Sequence, residues 1–320
     1  MNKYIQDWLE IIENMNNDNT YKLAWGRAII EIAMSLKIVE ENNLIKFEMI
    51  AHKMIKYYWN QIFFFNLKQS ANSKKPPVIV QQVELLINQY KFLTNSSIPV
   101  WFDKAEIVLK QDHDFFYQII NKSAKKLKDD VSWRFMNVNK KTLYIYHLDK
   151  EKLYITLTKQ QILLLKEYHF VLSQLINYKW AQLLEKYNNT PRIASKVKGI
   201  SANTLKRNNL SKYKKILLKS CNFNPIDFYT GEILHENDIS LDHVIPWSFM
   251  YSDDIWNLVF TSKSNNSFKS NNIPKEEVIN KLKERNHLLL NTISDPKYKN
   301  ELELAIQNEY VDKFYLAIKL

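Results

Sequence analysis

Apolar residues return every three or four positions through most of the first 190 residues, the period of helices that bury one stripe. Ile5, Leu9 and Ile12 form a short stripe. Asn19 and Thr20 can cap a second helix from Tyr21 to about Val39, with Leu23, Ala24, Ala28, Ile29, Ile32, Ala33 and Leu36 inward. A third runs from about Leu44 to Phe65. Its aromatics (Tyr57, Tyr58, Trp59, Phe63, Phe64, Phe65) could stack on bases, but rings at helical spacing read more simply as core. Val78 to about Leu93 is a further helix, and Asp103 to about Lys128 holds one or two more. Gln69–Pro77 and Asn95–Pro99 are loops, rich in Ser, Asn, Lys and Pro.

From Val131 the period shortens. Thr142–His147 and Lys152–Leu157 alternate around Asp149-Lys150-Glu151, which predicts a β-hairpin. Thr158 caps a long helix from Lys159 to about Tyr187, with Ile162, Leu165, Tyr168, Leu172, Leu175, Ile176, Trp180 and Leu183 on one stripe. Further on, Asp227–Leu234 and Ile239–Val244 read as two strands, followed by Pro246–Ile255 as the connecting loop. A helix begins near Lys263–Ser267, another runs from Pro274 to about Leu289, and a last one from Leu302 to Ile318. The expected class is mainly α (α+β). A helical domain with a small β-hairpin covers 1–190, a basic helical linker 191–220, and a compact C-terminal domain 221–320.

Composition narrows this picture. The chain has 320 residues, 46% hydrophobic and 25% charged, which suits a soluble globular protein with one large or two ordinary domains. Three glycines and eight prolines leave few helix breakers. No apolar run approaches the ~18 residues that span a bilayer. The start, MNKYIQDWLEII, is amphipathic rather than a signal peptide, so a cytoplasmic protein without membrane contact is expected. Cys221 is the only cysteine, which excludes a disulfide framework and the paired cysteines of a structural zinc site. No structural zinc is expected; Cys221 reads as a small buried residue. The turn Tyr229-Thr230-Gly231-Glu232 should then be held by packing of Phe223, Phe228, Tyr229 and Ile233. His52, His113, His147 and His169 are scattered and read as core or surface residues.

The net charge is +11, unevenly placed. Pro191–Ser220 holds nine basic residues (Arg192, Lys196, Lys198, Lys206, Arg207, Lys212, Lys214, Lys215, Lys219) and no acid; Cys221–Ser262 holds seven acids and no Lys or Arg. A charge run is often only a solvated face. A basic stripe ahead of an acidic pocket also suits a nucleic-acid backbone gripped and presented to a cation. Lys206, Arg207, Lys212, Lys214, Lys215 and Lys219 are the candidate contacts.

Candidate chemistry gathers in SLDHVIPWSFMYSDDIWNLVFTSKSNNSFKSNNIP, from Ser240 to Pro274. Asp242 and His243 are adjacent, Asn257 follows, and an Asn-rich run holds Asn265, Asn266, Lys269, Asn271 and Asn272. Carboxylate and amide oxygens suit a hard cation such as magnesium or manganese. A neutral imidazole beside it can take a proton from water near neutral pH. An Asp-His pair alone is common, and an Asn-rich turn alone is usually only a turn. Together, at this separation, they specify a site.

From about Asp227 to Asn286 the chain resembles an HNH endonuclease motif. The variant is that of the HNH domain of RNA-guided CRISPR effector nucleases and of stand-alone bacterial HNH proteins. The resemblance implies a ββα-metal fold. It implies His243 as general base, its ring held by a backbone carbonyl, and Asn257 as the residue that pins the loop and orients that histidine. It further implies Asp242 and Asn266 as ligands of Mg2+ or Mn2+, and Lys269 facing the scissile phosphate. The expected activity is metal-dependent hydrolysis of DNA phosphodiester bonds, in bacterial restriction or anti-phage defence. The N-terminal domain shows no ATPase or methyltransferase fingerprint. It reads as a recognition or assembly module for a protein partner or a homo-oligomer. Two alternatives stay open: a non-catalytic DNA-binding subunit, and a nuclease effector active only with a partner complex.

Overall fold

The computed structural model describes residues 2–38, 40–72, 76–188, 190–198, 209–269 and 272–319. The chain divides into two compact units, Met1–Asn188 with Ile193–Thr204, and Asn189–Arg192 with Leu205–Leu320. Among the described residues no helix is long and apolar enough to cross a membrane. The protein is mainly helical with small sheets, as the apolar periods predict.

The first unit begins with α1 (Lys3–Asn14) and α2 (Tyr21–Ser35). Next come β1 (Asn42–Lys46) and α3 (Phe47–Trp59), which runs into a π-turn at Asn60–Phe64. The helix expected over Leu44–Phe65 is therefore shorter at both ends. Asn43 and Ile45 of β1 point inward, and the strand pairs antiparallel with β5. α4 (Val78–Thr94), α5 (Phe102–Leu109), α6 (His113–Asp129) and α7 (Val131–Arg134) follow. Next lie β2 (Asn137–Val138), β3 (Lys141–Thr142), β4 (His147–Asp149) and β5 (Tyr154–Thr158). A hairpin is present, but its strands are β4 and β5, several residues beyond the first predicted strand. With β1 they make a three-stranded sheet ordered β1-β5-β4. α8 (Lys159–Glu185) starts at a capping box: the Gln161 N–H donates to Thr158 Oγ1 (3.2 Å) and the Thr158 N–H to Gln161 Oε1 (2.9 Å). α9 (Ile193–Lys198) ends the unit's described part.

The rings of α3 are core: Tyr57, Tyr58 and Trp59 are fully buried, beside Trp8, Trp25 and Trp180. They meet mostly edge to face, as Trp25 meets Phe47 at 5.3 Å and Trp59 meets Phe63 at 5.2 Å. Gly26 in α2 allows one close approach, since a Cβ there would sit 2.7 Å from the Phe135 ring.

The second unit contains α10 (Ser211–Ser220), β6 (Ile239–His243), α11 (Trp247–Met250), β7 (Leu258–Ser262) and α12 (Lys263–Lys269). It closes with α13 (Glu276–Thr292), α14 (Pro296–Gln307) and α15 (Tyr310–Lys319). The single helix expected over Leu302–Ile318 breaks at Asn308 and Glu309, where Glu309 takes φ 53°. Val244, Ile245, Trp256, Leu258, Leu282 and Leu302 lie in its apolar core.

Strand pairing also departs from expectation. β6 pairs with β7, and Asp227–Leu234 is no strand. The Asp227 carboxylate accepts from the backbone N–H of Tyr229 (2.8 Å) and Thr230 (3.1 Å), which curls the chain at once. Gly231 takes φ 80°, and only an isolated bridge joins Ile226 to Ile233. Phe223 and Ile233 do not hold this turn by packing, because they are 68% and 73% exposed. Phe228 lies in the core and Tyr229 packs against it, as expected, and the buried Asp227 carboxylate holds the turn beside them.

Candidate active site

β6, β7 and α12 form one ββα unit. Asp242 lies opposite Val259 and His243 opposite Leu258, so both side chains end β6 where it leaves the sheet. α12 starts on the residue after β7 and returns across β6. There Asn266 donates from Nδ2 to Ser240 Oγ (2.8 Å) and to the Leu241 carbonyl (3.3 Å). The strand carrying Asp242 and His243 and the helix carrying Asn266 are thus fastened together by that amide. Its side-chain oxygen remains for another partner.

Asp242 is buried and accepts at Oδ2 from the Tyr229 hydroxyl (2.5 Å) and the Lys269 ammonium (2.6 Å). Lys269 also donates to the carbonyls of His243 (2.7 Å) and Val244 (3.1 Å). Its ammonium thus sits in a cage of three oxygens, turned back onto the strand end. Burial lowers the Lys269 pKa, with the Asp242 charge opposing that shift. Burial and the same carboxylate push the Tyr229 hydroxyl well above its ordinary value.

His243 is not held by a backbone carbonyl, as expected above, but by a carboxylate. Its Nε2 stands 2.9 Å from Asp253 Oδ1, with both side chains nearly buried. A carboxylate only accepts, so the pair assigns the proton to Nε2 and leaves the Nδ1 lone pair available. Asn257, fully buried, clamps the next loop at both ends of its amide. The Ile245 N–H donates to Asn257 Oδ1 and Asn257 Nδ2 donates to the Ile245 carbonyl, each at 2.8 Å. The turn bearing Asn257 is itself tied to two helices. Arg285 of α13 donates to the carbonyls of Trp256 (3.2 Å) and Leu258 (2.7 Å), Asn286 donates to Trp256 (3.0 Å), and Glu301 of α14 accepts from the Ile255 N–H (2.7 Å). Burial pulls the Arg285 pKa down to about 9.

Asp227 joins the turn to the ββα unit. Its Oδ2 accepts from Thr261 Oγ1 (3.0 Å), the Ser262 N–H (2.8 Å) and Asn265 Nδ2 (3.0 Å). Burial alone would raise its pKa; the bonds from Ser262, Thr230, Asn265 and Tyr229 outweigh that and hold it below the ordinary value. The sequence reading missed Asp227 and Asp253 as functional or scaffolding residues. Both were visible as acids in a stretch without Lys or Arg, but their partners were not.

Two family models match. That of the HNH endonuclease family (HNH_4) covers residues 227–275, and that described as "Domain of unknown function (DUF8808)" covers residues 5–200. The chain belongs to the DUF8808 family and carries an HNH endonuclease domain. Over 60 residues it is 40% identical to the CRISPR-associated endonuclease Cas9 of Streptococcus mutans serotype c and 38% identical to that of Listeria innocua serovar 6a. Each match covers 18% of this chain and 4% of the relative, so the chain spans a small part of the length of the curated relatives it matches. No solved structure matches it.

HNH nucleases generally use divalent metal ions. In the HNH domain here the Asp242 carboxylate and the Asn266 amide supply hard oxygen donors. Oxygens around the Lys269 ammonium already accommodate a cation at Asp242. Among the described residues no group of three or more His, Cys, Asp or Glu side chains gathers as a metal cluster. A cleft of about 540 Å3, lined by residues including Leu217, Phe228, Val259, Phe260, Arg285 and Leu289, excludes Asp242, His243 and Asn266. An extended polyanion needs an open surface rather than a cavity, so that cleft is not evidence against the site.

The basic candidates separate. Lys206 and Arg207 lie outside the described residues. Lys212, Lys215 and Lys219 are exposed, at spacings of three and four along α10. Lys214 is half-buried and donates to the Ile239 carbonyl of β6 (3.1 Å). Lys196 belongs to no exposed stripe: it is fully buried in the first unit, its Nζ 5.8 Å from the Phe65 ring centroid.

Proposed function

We propose that this protein is a metal-dependent endonuclease that hydrolyses DNA phosphodiester bonds. The observation that supports the reading is the ββα unit, in which Asp242 and the carboxylate-backed His243 end β6 and Asn266 of α12 is bonded back to Ser240 and Leu241 of the same strand. His243 accepts a proton from water at Nδ1, while Asp253 fixes the ring and stabilises the imidazolium that forms. Asn257 holds the backbone of residues 244 and 245, which limits how far His243 can swing. Asp242 and Asn266 hold the cation, Mg2+ or Mn2+. When bound, the cation supplies positive charge opposite the phosphate as negative charge grows in the transition state. Tyr229 and Lys269 keep the Asp242 carboxylate aimed. Lys269 can exchange its contacts there for a phosphate oxygen when substrate arrives. Lys212, Lys215 and Lys219 contribute sequence-independent grip on the backbone.

One such site cuts one strand. The Cas9 relatives are CRISPR-associated endonucleases by name, which supports a role for this protein in restriction or anti-phage defence in the cytoplasm. The test is plasmid relaxation with wild type and His243→Ala, in Mg2+, Mn2+ and chelator. Wild type should nick supercoiled DNA only with metal. The variant should bind DNA but lose ~10²–10⁴ in rate, the usual contribution of a general base. Undiminished cleavage by the variant would overturn the assignment.

A further inference from the structure

We propose that the outward face of α8 is a homodimer interface, covered by α8 of a second copy running antiparallel. α8 is apolar on two sides. Ile162, Leu165, Leu172, Ile176, Trp180 and Leu184 are buried, while Leu163, Phe170, Val171 and Tyr178 are 49%, 65%, 55% and 58% exposed. At 3.6 residues per turn those four fall within an arc of about 100°. A surface helix ordinarily buries one stripe; a second apolar stripe calls for a second cover.

Spacing identifies the cover. Leu163 and Tyr178 are equally distant from the midpoint between Phe170 and Val171. A two-fold interface sets residue i against j and j against i, which such a palindrome satisfies. An antiparallel copy centred there brings Leu163 level with Tyr178 of the second copy, and Phe170 level with Val171, twice over. Glu167 comes level with Gln174, whose amide can donate to the carboxylate. Exposed residues of opposite sign, Lys159 and Glu185, stand at the two ends of the helix. The same pairing brings each Lys159 within one turn of the second copy's Glu185. A parallel pair would instead set Glu167 on Glu167 and Lys159 on Lys159, like charge on like. If the proposed nuclease reading holds, the dimer carries two sites, one for each strand; the interface itself does not depend on that reading.

Sedimentation equilibrium of the full chain across the micromolar range tests the proposal. The mass of wild type should move from one chain towards two with concentration. Phe170→Glu and Val171→Glu should each raise the dissociation constant at least tenfold, with circular dichroism unchanged because both positions are exposed in the single chain. Cross-linking fixes the direction. In a Cys221→Ser background, oxidation should couple two chains through Val171→Cys, close to the two-fold axis. It should not do so through Leu163→Cys, whose two copies stand about 22 Å apart along the pair. A wild type that stays monomeric overturns the proposal and leaves the face to a different protein. A dimer indifferent to both Glu variants, or coupling at position 163 as efficient as at 171, overturns it too. Plasmid cleavage plays no part in these readouts, so failure of the nuclease assignment is distinguishable from failure of the interface.

Discussion

The two units bury polar groups for different ends. In the first, the buried polar side chains are mostly amides and hydroxyls (Thr20, Asn60, Gln61, Gln69, Ser123), set among packed rings. In the second, the buried set includes Asp227, Asp242, His243 and Asn257, each bonded to backbone or to another functional side chain. Packed rings fix volume and tolerate small rotations. A buried carboxylate or amide fixes direction, because its bonds weaken steeply when misaligned. A helical scaffold can be held by the first means alone. The strand end that carries Asp242 and His243 is held by the second.

The largest effect that would sharpen this contrast concerns Asp253. Asp253→Asn keeps the shape but can present an N–H to Nε2, which favours the wrong imidazole tautomer. The expected loss of cleavage is at least tenfold, and up to the ~10⁴-fold found when a triad carboxylate becomes an amide. Binding of DNA and the melting temperature should change little. Cleavage rates within twofold of wild type would reduce Asp253 to a bystander.

Next in size is Asp227→Ala, which strands the donors of Tyr229, Thr230, Ser262, Thr261 and Asn265 together. Removing one partner of a buried charged network costs about 3–5 kcal/mol, and denaturant unfolding of the full chain should show a loss of that order. The pH dependence follows from the depressed Asp227 pKa. Its stabilisation is present above the ordinary carboxylate value and fades as pH falls through the folded-state value, so the variant should have the shallower acid limb. A loss under about 1 kcal/mol would mean that water replaces the carboxylate, as it can at an exposed turn.

The first unit offers a converse case in Lys196, a charge buried where rings do the packing. Burial pulls its pKa from 10.5 down to about 7. Between those values the unfolded chain holds a proton that the folded chain lacks, so stability should rise with pH across that window, by about 1.4 kcal/mol for each unit at most. Below it both states are charged and the full burial penalty stands. Lys196→Met should therefore flatten the first unit's rise towards pH 10. Parallel profiles for variant and wild type would show that the ammonium is solvated after all.

How much of this was legible in the sequence divides along the same line. Helix periods revealed the first unit, because an apolar stripe reports burial directly. β1 escaped because five residues of alternation are too few beside a strong helix. Asp242, His243, Asn257 and Asn266 stood out in the sequence because residue type and spacing within one short stretch carry the resemblance. Asp227 and the Asp253–His243 pair were not, since a carboxylate's partners depend on how loops close. Arg285, Asn286 and Glu301 sit on helices read from their apolar residues, so polar side chains reaching backbone carbonyls and amides left no periodic mark.

The smallest expected effect tests whether charge in the second unit is a binding surface or scaffold. α10 holds both kinds: Lys212, Lys215 and Lys219 face solvent, while Lys214 is tied to the Ile239 carbonyl at the start of β6. Replacing the three exposed lysines with Glu should weaken DNA binding and reduce the log–log salt slope by roughly 0.9 for each phosphate that is no longer neutralised. Lys214→Met should leave that slope nearly unchanged and instead lower stability slightly, by the ~1 kcal/mol of a half-buried hydrogen bond. An unaltered slope for the triple variant, with a reduced one for Lys214→Met, would reverse the two roles and turn the exposed row into a plain solvated face.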